Sequence, residues 1–147
     1  MEPIEGLARV VQAVTRTMSR KQHDLLTGEE FFNLSMSQIY YLEVIAELGS
    51  PTPSVLAAHL RHSKASVSTA ISILKRGGYI KTVPSERDGR SYHIHLSGKG
   101  EQVRRVHDQV HKDIAALLVS GLTQEEKEQL LQLMQKAMPE VFEESRS

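Results

Sequence analysis

The chain has 147 residues, the usual length of one domain, and its basic and acidic side chains cancel to a formal net charge of zero. It contains no cysteine, which excludes disulfides, thiolate metal ligands and thiol-based redox sensing. No apolar run approaches the roughly 18 residues of a membrane span, and the N-terminal MEPIEGLARVV lacks the pattern of a signal peptide. We therefore expect a cytoplasmic protein with no membrane partner.

The charge is distributed unevenly along the chain. Residues 1–58 carry four basic and seven acidic side chains, residues 59–105 carry ten and three, and residues 106–147 carry four and eight. The net charges of the three segments are therefore −3, +7 and −4. A basic segment between two acidic ones is typical of a protein that meets phosphate with one face. An ordinary solvated surface would explain the charge alone.

The first half of the chain is predicted to form four helices. Apolar residues recur at helical spacing in the first one, and the segment TGEEFFN ends it. Ser35 and Ser63 are suited to cap the second and fourth helices, and Pro53 suits the first position of the third. Gly77-Gly78 ends the fourth helix. The predicted helices cover residues 4–26, 36–49, 53–62 and 64–76.

The second half is predicted to form a hairpin and two helices. YIKTV and SYHIHLS are β-like segments on either side of the polar loop PSERDGR. A long helix follows from SGKGEQ to about residue 119, and Gly121 interrupts it. Thr123 and Glu126 form a capping box for a last helix, which is predicted to end near residue 144. The order of elements predicts a mainly α fold with a small β wing.

The third and fourth helices have the pattern of a helix-turn-helix, and the hairpin after them would be its wing. Val67, Ile71 and Leu74 would face inward, so the outward half of the fourth helix is polar and can approach base edges and phosphates. Arg87 and Arg90 lie in the wing loop, where an arginine can enter a narrow minor groove. The predicted DNA-binding residues on the helix are Lys64, Ser66, Ser68 and Thr69. An ordinary solvent-exposed helix surface would by itself explain the hydroxyl residues, but the predicted wing and the basic segment favour binding of double-stranded DNA.

Residues 35–105 resemble the winged helix-turn-helix core of MarR-type transcription regulators. The resemblance is carried by LAAHLRHSKASVSTAISILKRGGYI and SERDGRSYHIHLSGKG. The second stretch contains the wing motif Asp-x-Arg at 88–90 and a helix start of the small-x-Lys-Gly type that includes Gly98-Lys99-Gly100. The resemblance implies one MarR-type domain over residues 1–147, with a DNA-binding lobe at 35–100 and dimerisation helices at 1–30 and 101–147.

The resemblance also implies a function. A MarR-type protein is a homodimeric, non-enzymatic regulator that binds a pseudo-palindromic operator, most often as a repressor, and responds to a small effector. By the same analogy Arg90 pairs with Asp88 to shape the wing, which leaves Arg87 for direct DNA contact. A small aromatic effector could lie among four aromatic side chains, although core packing would explain most of them: Phe31, Phe32, Tyr40 and Tyr41.

His107 and His111 lie four positions apart on the predicted fifth helix, so their Cβ atoms would be roughly 5–6 Å apart and could hold one metal ion. The placement resembles that in the zinc-responsive AdcR/ZitR branch of the MarR family. That likeness implies zinc, with Asp24 as a carboxylate ligand; His23 or a water molecule could take the place of the histidine that the branch has on its second helix. Tyr40 stands where the branch has a second-helix histidine, and a tyrosine hydroxyl is a poor zinc ligand at neutral pH.

Other interpretations of the histidines remain open. His107 and His111 could simply pack between helices, or sense pH. His107-Asp108-x-x-His111 also resembles HExxH with Asp in place of Glu, so a metal-dependent hydrolase is an alternative function. His93 and His95 share a face of a wing strand, as a metal clip or as wing surface. A DNA-architectural protein without sequence preference is the last alternative.

Overall fold

The computed structural model describes residues 2–25 and 34–143. The predicted helix break at TGEEFFN, with Phe31 and Phe32, lies outside these residues. The described residues form seven α-helices and one two-stranded antiparallel sheet, which confirms a mainly α fold with a β wing. The elements are α1 Pro3–Leu25, α2 Met36–Glu47, α3 Pro53–Leu60, α4 Lys64–Arg76, β1 Ile80–Pro84, β2 Tyr92–Leu96, α5 Gly98–Leu118, α6 Gln124–Ala137 and α7 Pro139–Glu143.

Side-chain caps begin four of the helices. Ser35 and Thr123 each form the full capping box, in which the cap side chain and the third helical residue exchange hydrogen bonds with each other's backbone. Thr52 caps α3 directly before Pro53, and Ser63 caps α4 by accepting from the backbone of the third residue that follows it. These local signals explain why the predicted starts of α2, α3, α4 and α6 are confirmed.

The last predicted helix is wrong at its C-terminal end. It was expected to continue to residue 144, but α6 ends at Ala137 and a separate short helix begins at Pro139. Proline has no backbone N–H, and its ring excludes the helical conformation for the residue before it. Met138 accordingly has φ −137° and ψ 65°, outside the helical region.

The hydrophobic core lies between α2, α4 and the sheet. The predicted inward stripe of α4 is confirmed, since Val67, Ile71 and Leu74 are all buried. They pack in one cluster with residues of α2 and with Ile80 and Ile94 of the sheet. Burying one such side chain stabilises the fold by roughly 1.5–3 kcal/mol. This packing fixes which face of α4 points to solvent.

Strand β2 is held on both sides. One side pairs with β1, in the register Ile80↔Leu96, Thr82↔Ile94 and Pro84↔Tyr92. The other side contacts the turn between α2 and α3, where Ile94 donates its backbone N–H to Pro51 O at 2.9 Å. His93 donates from Nδ1 to the Ser50 carbonyl at 3.0 Å, and His95 Nδ1 lies 2.8 Å from Ser50 Oγ. The two wing histidines therefore anchor the strand to this turn. This structural role differs from the metal clip and from the wing surface that were predicted for them.

The small-x-Lys-Gly motif forms the junction between β2 and α5. A Cβ atom at Gly100 would lie 2.1 Å from the Tyr79 carbonyl oxygen, so the position requires glycine. Lys99 donates from Nζ to the Gly77 carbonyl at 3.0 Å, and the same atom lies 4.5 Å from the centroid of the Tyr79 ring. The motif thus joins the start of α5 to the turn that follows α4.

The chain divides into two compact units, residues 1–111 and 112–147, with the boundary inside α5. None of the described helices is long and apolar enough to cross a membrane.

Candidate functional site

The outward face of α4 is the first candidate site. Lys64, Ser66, Ser68 and Thr69 are all exposed on it. The Ser66 hydroxyl lies 2.9 Å from the hydroxyl of the cap residue Ser63, and the Thr69 hydroxyl donates to the Ala65 carbonyl at 3.0 Å. A hydroxyl has one donor and two acceptor positions, so Thr69 keeps acceptor capacity for a donor on a base edge. All four predicted helix residues are therefore accessible to a partner.

The wing loop differs from the prediction in one contact. Asp88 accepts a hydrogen bond from the backbone N–H of Arg90 at 3.0 Å, and Ser91 donates its backbone N–H to the Asp88 carbonyl at 3.0 Å. Among the described residues no ion pair joins the Asp88 carboxylate to the Arg90 guanidinium. The wing is therefore shaped by Asp88 and the loop backbone. Arg87 and Arg90 are both exposed, so both are accessible to DNA.

A groove between α4 and the wing contains a basic residue, Lys75, that was not predicted from the sequence as part of the DNA-binding surface. Lys75 and Arg90 line it together with Thr82, and Lys75 donates from Nζ to Thr82 Oγ1 at 2.8 Å. Lys75 follows Lys64 by 11 residues, about three helical turns, so helical spacing could have placed both on one face.

The predicted aromatic pocket is not assembled by the described aromatic residues. Tyr41 is buried, and its hydroxyl lies 2.8 Å from Nδ1 of His62, so it bridges α2 to the turn before α4. Burial raises the pKa of the Tyr41 hydroxyl. Tyr40, one residue earlier, is exposed on the other side of the helix. These two side chains therefore do not share a cavity.

The second candidate site is a cluster around His107, a residue that is only 3% exposed, whereas Glu43 is partly buried and His111 is exposed. His107 Nε2 lies 2.9 Å from Glu43 Oε1 on α2 and 2.9 Å from His111 Nε2. His107 Nδ1 lies 3.0 Å from Nε2 of Gln22 on α1. Three helices, α1, α2 and α5, therefore meet at one imidazole ring.

The donor set and spacing of this cluster fit a zinc ion. One ligand atom from each of Glu43, His107 and His111 lies within 4.8 Å of the others. Within the described residues, these three form the group of side chains that could hold a metal ion. Tetrahedral zinc bonds of roughly 2.0–2.1 Å place neighbouring ligand atoms about 3.3 Å apart. The two 2.9 Å contacts would have to lengthen only by a few tenths of an ångström. The group does not include Asp24 or His23, which are exposed in the last turn of α1.

Burial sets the protonation of Glu43. Burial, helped by the charges of Glu47 and Asp108 and opposed by that of Arg104, raises the pKa of the Glu43 carboxyl to about 7. Arg104 itself lies 2.9 Å from Asp108. Near neutral pH the Glu43 carboxyl is therefore present in both its protonated and its ionised form.

Burial also favours the uncharged form of His107. It lowers the pKa of the imidazole, and His111 lowers it further while Asp108 opposes. The contact between His107 and Glu43 is therefore a hydrogen bond from a neutral ring rather than an ion pair. A neutral imidazole is the form that binds a metal.

Neither Glu43 nor Gln22 was predicted from the sequence to belong to this site. Glu43 lies between the buried residues Leu42 and Val44, so a carboxylate in an otherwise apolar helix segment was the available signal. Gln22 lies in the apolar stripe of α1, four residues after Met18, and it is the buried residue of that helix. A polar side chain at a core position of an amphipathic helix marks a buried polar contact.

Comparisons with known proteins find similarity to transcription regulators. The sequence model described as MarR family matches residues 32–91. An uncharacterized HTH-type transcriptional regulator of Bacillus subtilis, YkoM, is 25% identical over 93% of this chain and 87% of its own length.

Solved structures share the fold over nearly the whole chain. FabT of Streptococcus pneumoniae, solved in complex with DNA, has a TM-score of 0.75 at 25% identity and covers 97% of this chain and 96% of its own. Wild-type MarR of E. coli in its apo form has a TM-score of 0.69 at 21% identity, with coverage of 95% and 98%. The matching family model and these relatives are of transcription regulators, so they give no support to the hydrolase alternative. The comparisons do not distinguish the zinc-responsive branch, which stays a prediction.

Proposed function

We propose that this chain, a winged helix-turn-helix transcription regulator of the MarR family, binds its operator with α4 in the major groove and with the wing in the neighbouring minor groove. The observation that carries this is the orientation of α4. Its apolar stripe of Val67, Ile71 and Leu74 is buried in the core, so its hydroxyl residues face solvent. A buried stripe fixes the exposed face, and an exposed face of small polar side chains can approach base edges closely.

Each predicted DNA-binding residue has a distinct role in this proposal. Ser66, Ser68 and Thr69 contact base edges, where a hydrogen bond distinguishes one base from another, and Lys64 contacts phosphate. On the wing, Arg87 and Arg90 are both assigned to the minor groove, since Asp88 holds the loop through its backbone. The helix residues would then determine sequence preference, and the arginines would contribute affinity that depends strongly on salt.

The proposed active form is a homodimer. Apolar side chains on α1 are exposed in the single chain, with Ile4 at 76% and Val11 at 63%, and Leu133 of α6 is 65% exposed. We assign residues 35–100 to the DNA-binding lobe and residues 1–30 and 101–147 to dimerisation. Two-fold symmetry would place the two copies of α4 about 34–36 Å apart, so the operator would be pseudo-palindromic. We propose that such a dimer acts as a cytoplasmic repressor by occupying the operator.

Fluorescence anisotropy with duplexes from the DNA upstream of the gene tests this function. Arg87→Ala and Arg90→Ala should each weaken operator binding by about tenfold, or about 1.4 kcal/mol. Lys136→Ala is the matched control, because it removes the same charge from α6. Wild-type affinity in both wing variants would overturn the wing assignment. Equal affinity for the operator and for a scrambled duplex would instead indicate a DNA-architectural protein.

A second function, regulation by a divalent metal ion, is favoured by the cluster of Glu43, His107 and His111. We propose that these three side chains bind Zn²⁺ and that a solvent molecule completes the tetrahedral site. Because Glu43 belongs to α2 and the histidines to α5, a bound ion would fix the position of one helix relative to the other. An ion can shift the equilibrium between two arrangements of a protein only if it binds them with different affinity. Asp24 and His23 stay predictions of further ligands, which Asp24→Ala and His23→Ala would test.

Chelator competition and anisotropy together test the metal proposal. His107→Ala/His111→Ala should abolish tight zinc binding, and zinc should change the operator affinity of wild type by at least about tenfold but not that of the double variant. His59→Ala is the control for zinc affinity, since His59 is exposed on α3 outside the cluster. If the double variant binds zinc as tightly as wild type, the histidines are packing residues and the metal proposal is refuted.

A further inference from the structure

Both nitrogens of the His107 ring are engaged, and their partners determine where its proton lies. Gln22 approaches Nδ1 with its amide nitrogen at 3.0 Å, and Glu43 approaches Nε2 with Oε1 at 2.9 Å. An amide nitrogen only donates, so Nδ1 must accept and the ring proton must be on Nε2. In this tautomer His107 presents an N–H to Glu43 and His111. A protonated Nε2 has no lone pair for a metal ion.

The amide of Gln22 has one satisfied end and one unsatisfied end. The residue is only 4% exposed, and its Oε1 atom has no hydrogen-bond partner among the described residues. A buried carbonyl oxygen without a partner costs stability. A half-turn of the amide exchanges the positions of its oxygen and nitrogen with little change in shape. Oε1 would then face Nδ1 of His107 and could accept a proton from it.

We infer that Gln22 is a positioning residue whose amide turns when the cluster binds a metal ion. In the metal-free protein the Gln22 amide nitrogen donates to Nδ1, and His107 donates its Nε2 proton to Glu43. In the metal-bound protein the Gln22 carbonyl accepts from Nδ1–H, and the Nε2 lone pair is available to the ion. One proton leaves Nε2 and one joins Nδ1, so the ring stays neutral. This inference rests on the metal-dependent regulation proposed above.

The inference gives α1 a part in the response to metal. Gln22 lies in the last turn of α1, the helix whose exposed apolar residues are assigned to the dimer contact. Hydrogen-bond partners of a metal-binding histidine fix its tautomer and orientation, and their removal typically lowers metal affinity about 10- to 100-fold. The occupancy of a site between α2 and α5 would in this way change a hydrogen bond made by α1.

Two substitutions at Gln22 are expected to differ in their effect on zinc affinity. Gln22→Glu supplies a carboxylate, which in its ionised form only accepts and therefore favours the Nδ1–H tautomer, so zinc affinity should be equal to or higher than that of wild type. Gln22→Met has similar length without a strong acceptor and should lower zinc affinity about 10- to 100-fold. Gln12→Met, on the exposed part of the same helix, should have no effect. If Gln22 only supported packing, both Gln22 variants would lose affinity.

The tautomer of His107 can be measured in the wild-type chain, which avoids any folding defect of a variant. In histidine labelled with ¹⁵N, NMR distinguishes an Nε2–H ring from an Nδ1–H ring. We expect Nε2–H without metal and Nδ1–H with zinc. The same tautomer in both states, or unchanged zinc affinity in Gln22→Met, would overturn the inference and leave the metal site standing. Absence of zinc binding by wild type would overturn both, whereas operator binding would be unaffected.

Discussion

Zinc binding should depend on pH through Glu43. Burial raises the pKa of this carboxyl to about 7, so near neutral pH much of the free protein carries a proton that the ion must displace. Lowering the pH therefore weakens zinc binding, because the protonated carboxyl is not a ligand. An ordinary glutamate, with a pKa of 4.5, would be ionised throughout this range and would add no dependence.

The size of this effect follows from the pKa. With a pKa of about 7, the ionised fraction of Glu43 falls from about nine-tenths at pH 8.0 to about one-quarter at pH 6.5. Zinc affinity should fall by the same ratio, about fourfold, or about 0.8 kcal/mol. Glu43→Gln lacks the carboxylate ligand, so its zinc affinity should be lower at every pH. It also has no proton to lose at this position, so its zinc affinity should depend less on pH by that factor. The two proteins have the same ionisable groups apart from residue 43, so the difference between the two slopes isolates Glu43.

Competition against a chromophoric chelator at pH 6.5 and 8.0 measures both slopes, and calorimetry in two buffers of different ionisation enthalpy counts the protons released. Glu47→Gln is a control of charge, since Glu47 raises the Glu43 pKa without belonging to the cluster. It should reduce the pH dependence without removing it. Identical slopes for wild type and Glu43→Gln would refute the assignment of Glu43 as a ligand that loses its proton on binding.

Three further outcomes concern the stability of the metal-free protein. Gly100→Ala should lower the free energy of unfolding by about 1–3 kcal/mol, because its Cβ would meet the Tyr79 carbonyl. The control is Gly98→Ala, whose Cβ would meet nothing within 4 Å. Urea titration should give a lower midpoint for Gly100→Ala than for Gly98→Ala, and equal midpoints would contradict the packing argument. Ser63→Ala should cost about 1 kcal/mol through loss of the α4 cap, measured the same way. As the pH rises from 4.5 to about 7, the folded state keeps the Glu43 proton that the unfolded state releases, so this carboxyl stabilises the fold less. The Tm of wild type should therefore fall relative to that of Glu43→Gln between pH 5 and 8, and a constant difference would argue against the raised pKa.

Most of the fold was predictable because its signals are local. A cap such as Ser35 or Ser63 acts within three residues, and apolar spacing defines each helix face without reference to distant parts of the chain. The error at the end of α6 was also local, since Pro139 carried the signal for the break.

The cluster around His107 was only half predictable. The spacing of His107 and His111 within one helix is visible in the sequence, but their partners come from other helices. Gln22 is 85 residues from His107 along the chain. Which side chain of α1 or α2 meets the histidines is decided by how the helices pack, and the resemblance pointed to Asp24 and Tyr40 rather than to Gln22 and Glu43. A contact of this kind is set by tertiary structure and has no local pattern.

The attachment of β2 has a consequence for how such proteins can be modified. Three consecutive residues, His93 to His95, tie the middle of the strand to Ser50 and Pro51, so the support of the hairpin does not involve the loop at 85–91. The loop closes on itself through the backbone of Asp88 and Ser91. We therefore expect that loops of other sequence or length can be exchanged there without disturbing the hairpin or the exposed face of α4 that is proposed to contact bases.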